Sequence, residues 1–252
     1  MGILQSNQTR GSAAELDEFV MLRRQIHAAP EIGGDTPDTA ALVADKLQAL
    51  GYEVHRNVGG HGVVGVLKVG DSPRSIGLRA DMDALPMGEK NAFAHASKIP
   101  GRMHACGHDG HTAILLAAAA QLAATRQFNG TLNVIFQPDE EGLAGAKAMI
   151  DDGLFERFPC DSVYALHNMP GLPVGTCVVQ AGPTMASSER VSIRITGKGG
   201  HGAMPELSVD PVMALNSLIS GIQTIKSRNL SVEDYAVISI GMIQAGTVYN
   251  II

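Results

Sequence analysis

Five short stretches hold the residues able to do chemistry. In MHACGHDGH (103–111), Cys106 and His108 bracket Gly107. A Cys-x-His pair can place a thiolate and an imidazole on one cation, because the glycine lets the backbone turn tightly between them. Taken alone, the pair reads as easily as a buried cysteine beside a helix-starting histidine. His104 and His111 lie in the same stretch and read as residues that support or pack against ligands. QPDEEG (137–142) carries Glu140 and Glu141 directly after a strand-like run. In a continuing strand the two would point to opposite faces; in a loop both can face one pocket. One could then ligate a metal while the other acts as general base on a water. A solvated acidic turn is the alternative. RADMDALP (79–86) sets Asp81 and Asp83 on one side of an extended segment. Such a pair can bind metal, orient a ligand histidine or cap a turn. His167 in ALHNMP ends an apolar run, where a lone histidine is more often structural than a ligand. His201 is presented by the glycines of GKGGHGAMP, which lacks the Lys-Ser/Thr ending of a phosphate loop.

Together these stretches supply a thiolate, imidazoles, paired glutamates and paired aspartates. That collection suits a metal-assisted hydrolase. A serine-nucleophile reading has less behind it, because no G-x-S-x-G elbow is present.

The elements that must position these groups follow from periodicity. Leu16, Phe19, Val20, Leu22 and Ile26 recur at helical spacing over 13–28. A second helix is expected from about Thr36 to Leu50, stopped by Gly51. Strand-like YEVH, GVVGVLKV and SIGLRA follow, then a loop-like stretch from Leu85 to Met103. A long helix on Ala and Leu is expected over 107–124. After it come strand TLNVIFQ, helical GAKAMIDDG and strand SVYALHN. VGTCVVQAG follows these. The alternation predicts an α/β layered sheet, with the chemically interesting residues at strand ends, where open α/β sheets place their sites. After residue 186 the pattern becomes strand (191–196), helix (211–227) and strand (235–243), a second and smaller α/β unit. The chain thus divides into 1–186 and 187–252.

Bulk properties narrow the class. The 252 residues are 45% hydrophobic, enough for a large core, and carry net charge −6 with a pI near 5.8. Lys and Arg are scattered without a basic run, which argues against nucleic acid as a partner. The longest apolar run, AILLAAAAQLAA, is too short for a membrane span. The N-terminal stretch is polar and lacks an apolar signal core, although its MGxxxS start touches the myristoylation pattern. Cys106, Cys160 and Cys177 form no disulfide framework, and a reducing, cytoplasmic setting is expected.

The motifs RRQIHAAPEIG, GLRADMDALPM, MHACGHDGHTA, IFQPDEEG, ALHNMPGLPVG and GKGGHGAMPE occur in this order. From about residue 20 to the end, the chain resembles the metallo-amidohydrolase family of hippurate hydrolase, N-acyl-amino-acid amidohydrolases and plant auxin-conjugate hydrolases. The resemblance implies a two-domain α/β subunit. Its catalytic domain has a mixed sheet and a two-metal site, and a small ferredoxin-like lid makes a homodimer contact. It implies Cys106, His108, Glu141 and His167 as metal ligands and Glu140 as general base. Asp83 would orient a ligand, and His201 would be the lid histidine that reaches the partner subunit's active site and helps stabilise the oxyanion there. Asn250 would contact substrate. The implied cofactor is a pair of divalent cations (manganese, zinc, cobalt or nickel), and the implied substrate an N-acyl amino acid cleaved to a carboxylic acid and an amino acid. Relatives continue beyond GTVYNII. The rest of the lid, the return into the catalytic domain and a further histidine ligand are therefore expected to lie outside this sequence. The alternative is a shortened, catalytically silent member that binds metal or only dimerises.

Overall fold

A computed structural model of the chain describes Gly2–Ile3 and residues 13–252. Residues 4–12, most of the N-terminal stretch read for targeting signals, lie outside the described residues. The elements in chain order are β1 (Gly2–Ile3), α1 (Ala13–Ala28), α2 (Pro37–Ala49), β2 (Glu53–Val58), β3 (Gly62–Val69), β4 (Ser75–Asp81) and α3 (His108–Thr125). They continue with β5 (Gly130–Gln137), α4 (Gly145–Asp151), α5 (Leu154–Arg157), β6 (Ser162–Ala165), β7 (Val178–Val179) and α6 (Pro211–Arg228). The chain divides into two compact units, separated in sequence between Cys177 and Val178, with Gly2–Ile3 belonging to the second.

The first unit is built on a five-stranded sheet of order β2-β3-β5-β4-β6. β2, β3 and β5 pair antiparallel in turn, whereas β4 runs parallel to both β5 and β6. The mixed α/β sheet expected from the sequence is therefore present. Its two faces follow from the period of two along each strand. On β5, Leu132, Val134 and Phe136 enter one core with Val43 and Leu47 of α2 and Leu115 and Leu116 of α3. Ile135 enters the other, with Val64, Met149, Leu154 and Phe158. β3 alternates likewise, Val63 and Leu67 to the first core and Val64 to the second. Near-continuous apolar runs in β3 and β5 are what burial on both faces requires.

One glycine sets how closely α2 approaches. A Cβ on Gly65 would stand 2.9 Å from both Leu47 Cδ1 and Val134 Cγ2, so helix and sheet meet there without a side chain between them. Across the same core, the Tyr52 hydroxyl donates to the Ala119 carbonyl at 3.0 Å.

In the second unit β1 pairs antiparallel with β7, Gly2 facing Val179. α6 starts as its sequence dictates. Pro211 occupies the first turn, and the Asp210 carboxylate caps it by accepting from the N–H groups of Val212 and Met213. Bridges join Lys198 to Val209 and His201 to Ile251. The strands expected over 191–196 and 235–243 do not form among the described residues, and the ferredoxin-like sheet expected of the small unit is not seen. The β-branched runs suit a strand, but a strand needs a neighbour to take its N–H and C=O groups, and these segments pair with none among the described residues. No described helix is long and apolar enough to cross a membrane.

Gly65→Val should lower stability by about 1–3 kcal/mol, the usual cost of overpacking a filled core. A urea melt should show a lower midpoint with an unchanged slope.

Candidate metal centre

The donors gather where the three parallel strands end. β4 finishes at Asp81 and runs on to Asp83. β5 finishes at Gln137 and leads into Pro138–Glu141. β6 finishes two residues before His167. Parallel strands bring their carboxyl ends to one edge, and the loops that leave them share one space. α3 begins at the same edge, with His108 as its first residue and Gly107 as its cap.

His108 lies at the middle. It is 1% exposed. Its Nδ1–H donates to the Asp83 carbonyl at 2.8 Å, which leaves Nε2 with a free lone pair. That Nε2 is buried and has no hydrogen-bond partner. Around it stand Glu140 Oε2 at 3.8 Å, Glu141 Oε1 at 3.9 Å and Asp81 Oδ2 at 3.7 Å. Glu141 Oε1 is also buried and unpartnered. Orphaned buried polar atoms are costly, and two of them among carboxylates fit a cation. The donor set agrees. Cys106, His108 and His167 can each offer an atom to one point, as can His108, Glu140 and Glu141. Cys106 Sγ and His167 Nε2 are 3.4 Å apart.

Asp83 organises two of these groups. Its Oδ1 accepts from the Glu140 N–H and its Oδ2 from the Glu141 N–H, both at 3.0 Å, while its carbonyl holds His108. Asp139 takes φ +57° just before, a left-handed conformation that Asp tolerates better than most residues. That turn brings both following N–H groups round to Asp83. Gly107 has φ +96°, and a Cβ there would meet the Asn168 Oδ1 at 2.4 Å. The spacer of the Cys-x-His pair is thus a glycine for two reasons, backbone conformation and space.

The titration behaviour follows from crowding. Burial alone would lower the His108 pKa, but the hydrogen bond it donates to Asp83 and the charges of Asp81, Asp83 and Glu141 raise it above the ordinary histidine value. Burial pushes the Cys106 thiol up to about 11, and the Glu141 and Glu140 charges add to it. Burial also raises Glu141, which His108 opposes and Glu140 and Asp83 reinforce. Without a cation, then, the cluster favours holding protons.

The first unit thus brings together Cys106, His108, Glu140, Glu141, His167 and Asp83. His201 and Asn250 belong to the second unit. His201 is exposed there, and its Nδ1 accepts from the Ala203 N–H at 3.1 Å, so the ring proton sits on Nε2. The Asn250 carbonyl accepts from Gly202 N–H at 3.0 Å.

The sequence reading missed a buried network behind α3. Asp109 is fully buried. Its Oδ2 accepts from Arg23 Nε and from His27 Nδ1, both at 2.8 Å, and His27 Nε2 reaches Glu89 at 3.2 Å. Next to it His104, buried with neither nitrogen paired, is pushed by burial to a pKa of about 4 and stays neutral. A signal was available: Arg23 and His27 are one helical turn apart, and Asp109 directly follows His108.

Residues 77–246 match peptidase family M20/M25/M40, and the chain belongs to that family. It is 53% identical to the hippurate hydrolase of Campylobacter jejuni over 93% of this chain and 61% of that protein. It is 39% identical to the N-acetylcysteine deacetylase of Bacillus subtilis over 93% of this chain and 62% of that one. Its fold superimposes with a TM-score of 0.71 on the crystal structure of the Bacillus subtilis YXEP protein, described as a dinuclear metal binding peptidase from the M20 family. That match has 32% identity and covers 96% of this chain and 62% of the other. The chain spans about three fifths of the length of these relatives.

Two outcomes are expected of the centre. Zinc or manganese binding should release protons at neutral pH and weaken as the medium is acidified through the raised His108 value, because the ligands must be deprotonated. Titration calorimetry in buffers of differing ionisation enthalpy measures this. Asp83→Ala should lower metal affinity about 10- to 100-fold by freeing the glutamate loop, as read by equilibrium dialysis.

Proposed function

We propose that this protein hydrolyses the amide bond of N-acyl amino acids at a centre of two divalent cations held by Cys106, His108, Glu141 and His167. The observation that carries the reading is the unpartnered, buried Nε2 of His108 amid thiol, imidazole and carboxylate donors. The thiolate favours zinc, while the mixed oxygen and nitrogen donors also suit manganese, cobalt or nickel. When bound, such cations lower the pKa of water and polarise an acyl oxygen.

The chain's own residues supply the proton transfers. The Glu140 side chain is 40% exposed, the most open of the carboxylates around His108. Its backbone is fixed by Asp83, so its carboxylate can be placed without order being lost at each turnover. Glu140 takes a proton from water as the water oxygen bonds to the acyl carbon. It returns that proton to the amide nitrogen as the carbon–nitrogen bond breaks, leaving a carboxylic acid and an amino acid. His201, reaching from the lid of one copy into the active site of the other, is suited to donate to the oxygen that gains charge, and Asn250 to contact the substrate. An N-acyl amino acid as substrate is supported by relatives named for hippurate and for N-acetylcysteine. We assign 1–186 to the catalytic domain and 187–252 to part of a small lid through which two copies pair.

The test is metal content together with hydrolysis of hippurate and N-acetyl amino acids, with added Mn²⁺ or Zn²⁺. Glu140→Gln should keep its metal and lose turnover about 10²- to 10⁴-fold. A wild-type protein that binds metal but turns over none of these substrates would favour the catalytically silent reading. Unchanged turnover in the glutamine variant would remove Glu140 from the role of base.

A further inference from the structure

Asp81, His108 and His111 form a third group with metal-donor spacing, yet hydrogen-bond accounting gives it another use. Asp81 and His111 are 1% and 2% exposed. The Asp81 Oδ1 accepts from His111 Nδ1 at 2.6 Å, and its Oδ2 accepts from Arg79 Nη1 at 2.7 Å. Arg79 is in turn fixed on Gln137, whose Oε1 accepts from Nε at 2.9 Å. The far ring nitrogen of His111 is also committed: Nε2 accepts from the backbone N–H of Asn168 at 3.1 Å. Both carboxylate oxygens and both ring nitrogens are therefore engaged, and His111 has no lone pair to spare for a cation.

The recipient of the chain of bonds matters more than its origin. Asn168 follows His167 in an exposed loop, beyond the last paired residue of β6. The His167 Nδ1 bonds only to its own neighbour, the Asn168 carbonyl. The His111 and His167 rings meet edge to face with centroids 4.7 Å apart, and the Asn168 side chain closes on Gly107. His111 is thus the buried post to which the His167 loop is tied, and Asp81 decides which nitrogen of that post faces the loop.

We propose that His111, held by Asp81 in the tautomer with its proton on Nδ1, is a positioning residue that places His167 beside Cys106. The proposal rests on the reading that Cys106 and His167 share a cation. If Nε2 carried the proton instead, it would face the Asn168 N–H donor to donor and the loop would lose its tether. Neutral ligand histidines owe their orientation to such outer partners. Here the support passes through a backbone amide one residue away.

Two measurements test it. Long-range proton–nitrogen NMR spectra of the metal-free protein should show His111 protonated at Nδ1 and bare at Nε2; the opposite tautomer overturns the proposal whatever the metal does. Cobalt titration of the apoprotein then compares His111→Gln with His111→Asn, with apoprotein melting followed for both. The glutamine amide oxygen reaches the Nε2 position and can still accept from Asn168, whereas the shorter asparagine cannot. The asparagine variant should lose about 10- to 100-fold in Co²⁺ affinity and most of the thiolate-to-cobalt absorption per bound ion. The glutamine variant should stay within a few-fold of wild type. Equal affinity and absorption in both variants and wild type would refute the positioning role. Absence of the thiolate band from the wild type would instead sink the shared-cation reading, and the NMR result would still judge the tether.

Discussion

Everything at the carboxyl edge of the sheet depends on the Asp83 side chain accepting two successive backbone N–H groups. That single carboxylate fixes the Pro138–Glu141 loop, while its own carbonyl fixes the His108 ring. Three segments far apart in sequence are thereby held at one point. Charge-assisted bonds of this kind are about twice as strong as neutral ones, and in a buried setting both partners lose heavily if either is removed. The glutamates can face a common space because their amides are held behind them.

The constraint also explains why the site sits at its cost in charge. Asp81, Asp83, Glu140 and Glu141 stand within a few ångströms of His108, an arrangement that repels itself without a counter-charge. Both aspartates accept hydrogen bonds on each carboxylate oxygen; Asp81 is held down to about 2, burial being outweighed by the His111 hydrogen bond and the His108 and Arg79 charges. The repulsion is felt at Glu141, whose carboxyl is raised by burial and by the neighbouring Glu140 and Asp83 charges and whose Oε1 has no protein partner.

Much of this was legible in the sequence. The helices over 13–28 and 107–124 and strand TLNVIFQ follow directly from spacing and composition, and the structure has them within a residue or two. The chemistry-bearing residues of the first unit were visible by type, and the family resemblance holds. Two things were not legible. Asp81 and Asp83 look equivalent on an extended segment, but only the three-dimensional neighbours show that one supports His111 and the other the glutamate loop. The Arg23–His27–Asp109 network joins residues more than eighty positions apart, beyond the reach of any local pattern. The strand-like runs at 191–196 and 235–243 teach the converse lesson: local preference marks where a strand can form, and pairing decides whether it does.

The spread of the donors along the chain carries a consequence for how the molecule is made. The proposed ligands come from three separate segments, Cys106 with His108, Glu141 and His167, unlike the closely spaced ligands of a small zinc module. Only Cys106 and His108 are close in sequence, so on that ligand set the full site exists only after the sheet has brought the three segments together. The sheet, with its slow non-local pairing of β4 between β5 and β6, must form first and carry the clustered carboxylates unaided. On the proposed reading an ion would be a late guest, and tolerance of metal scarcity would be set by how well the scaffold endures its own repulsion until then.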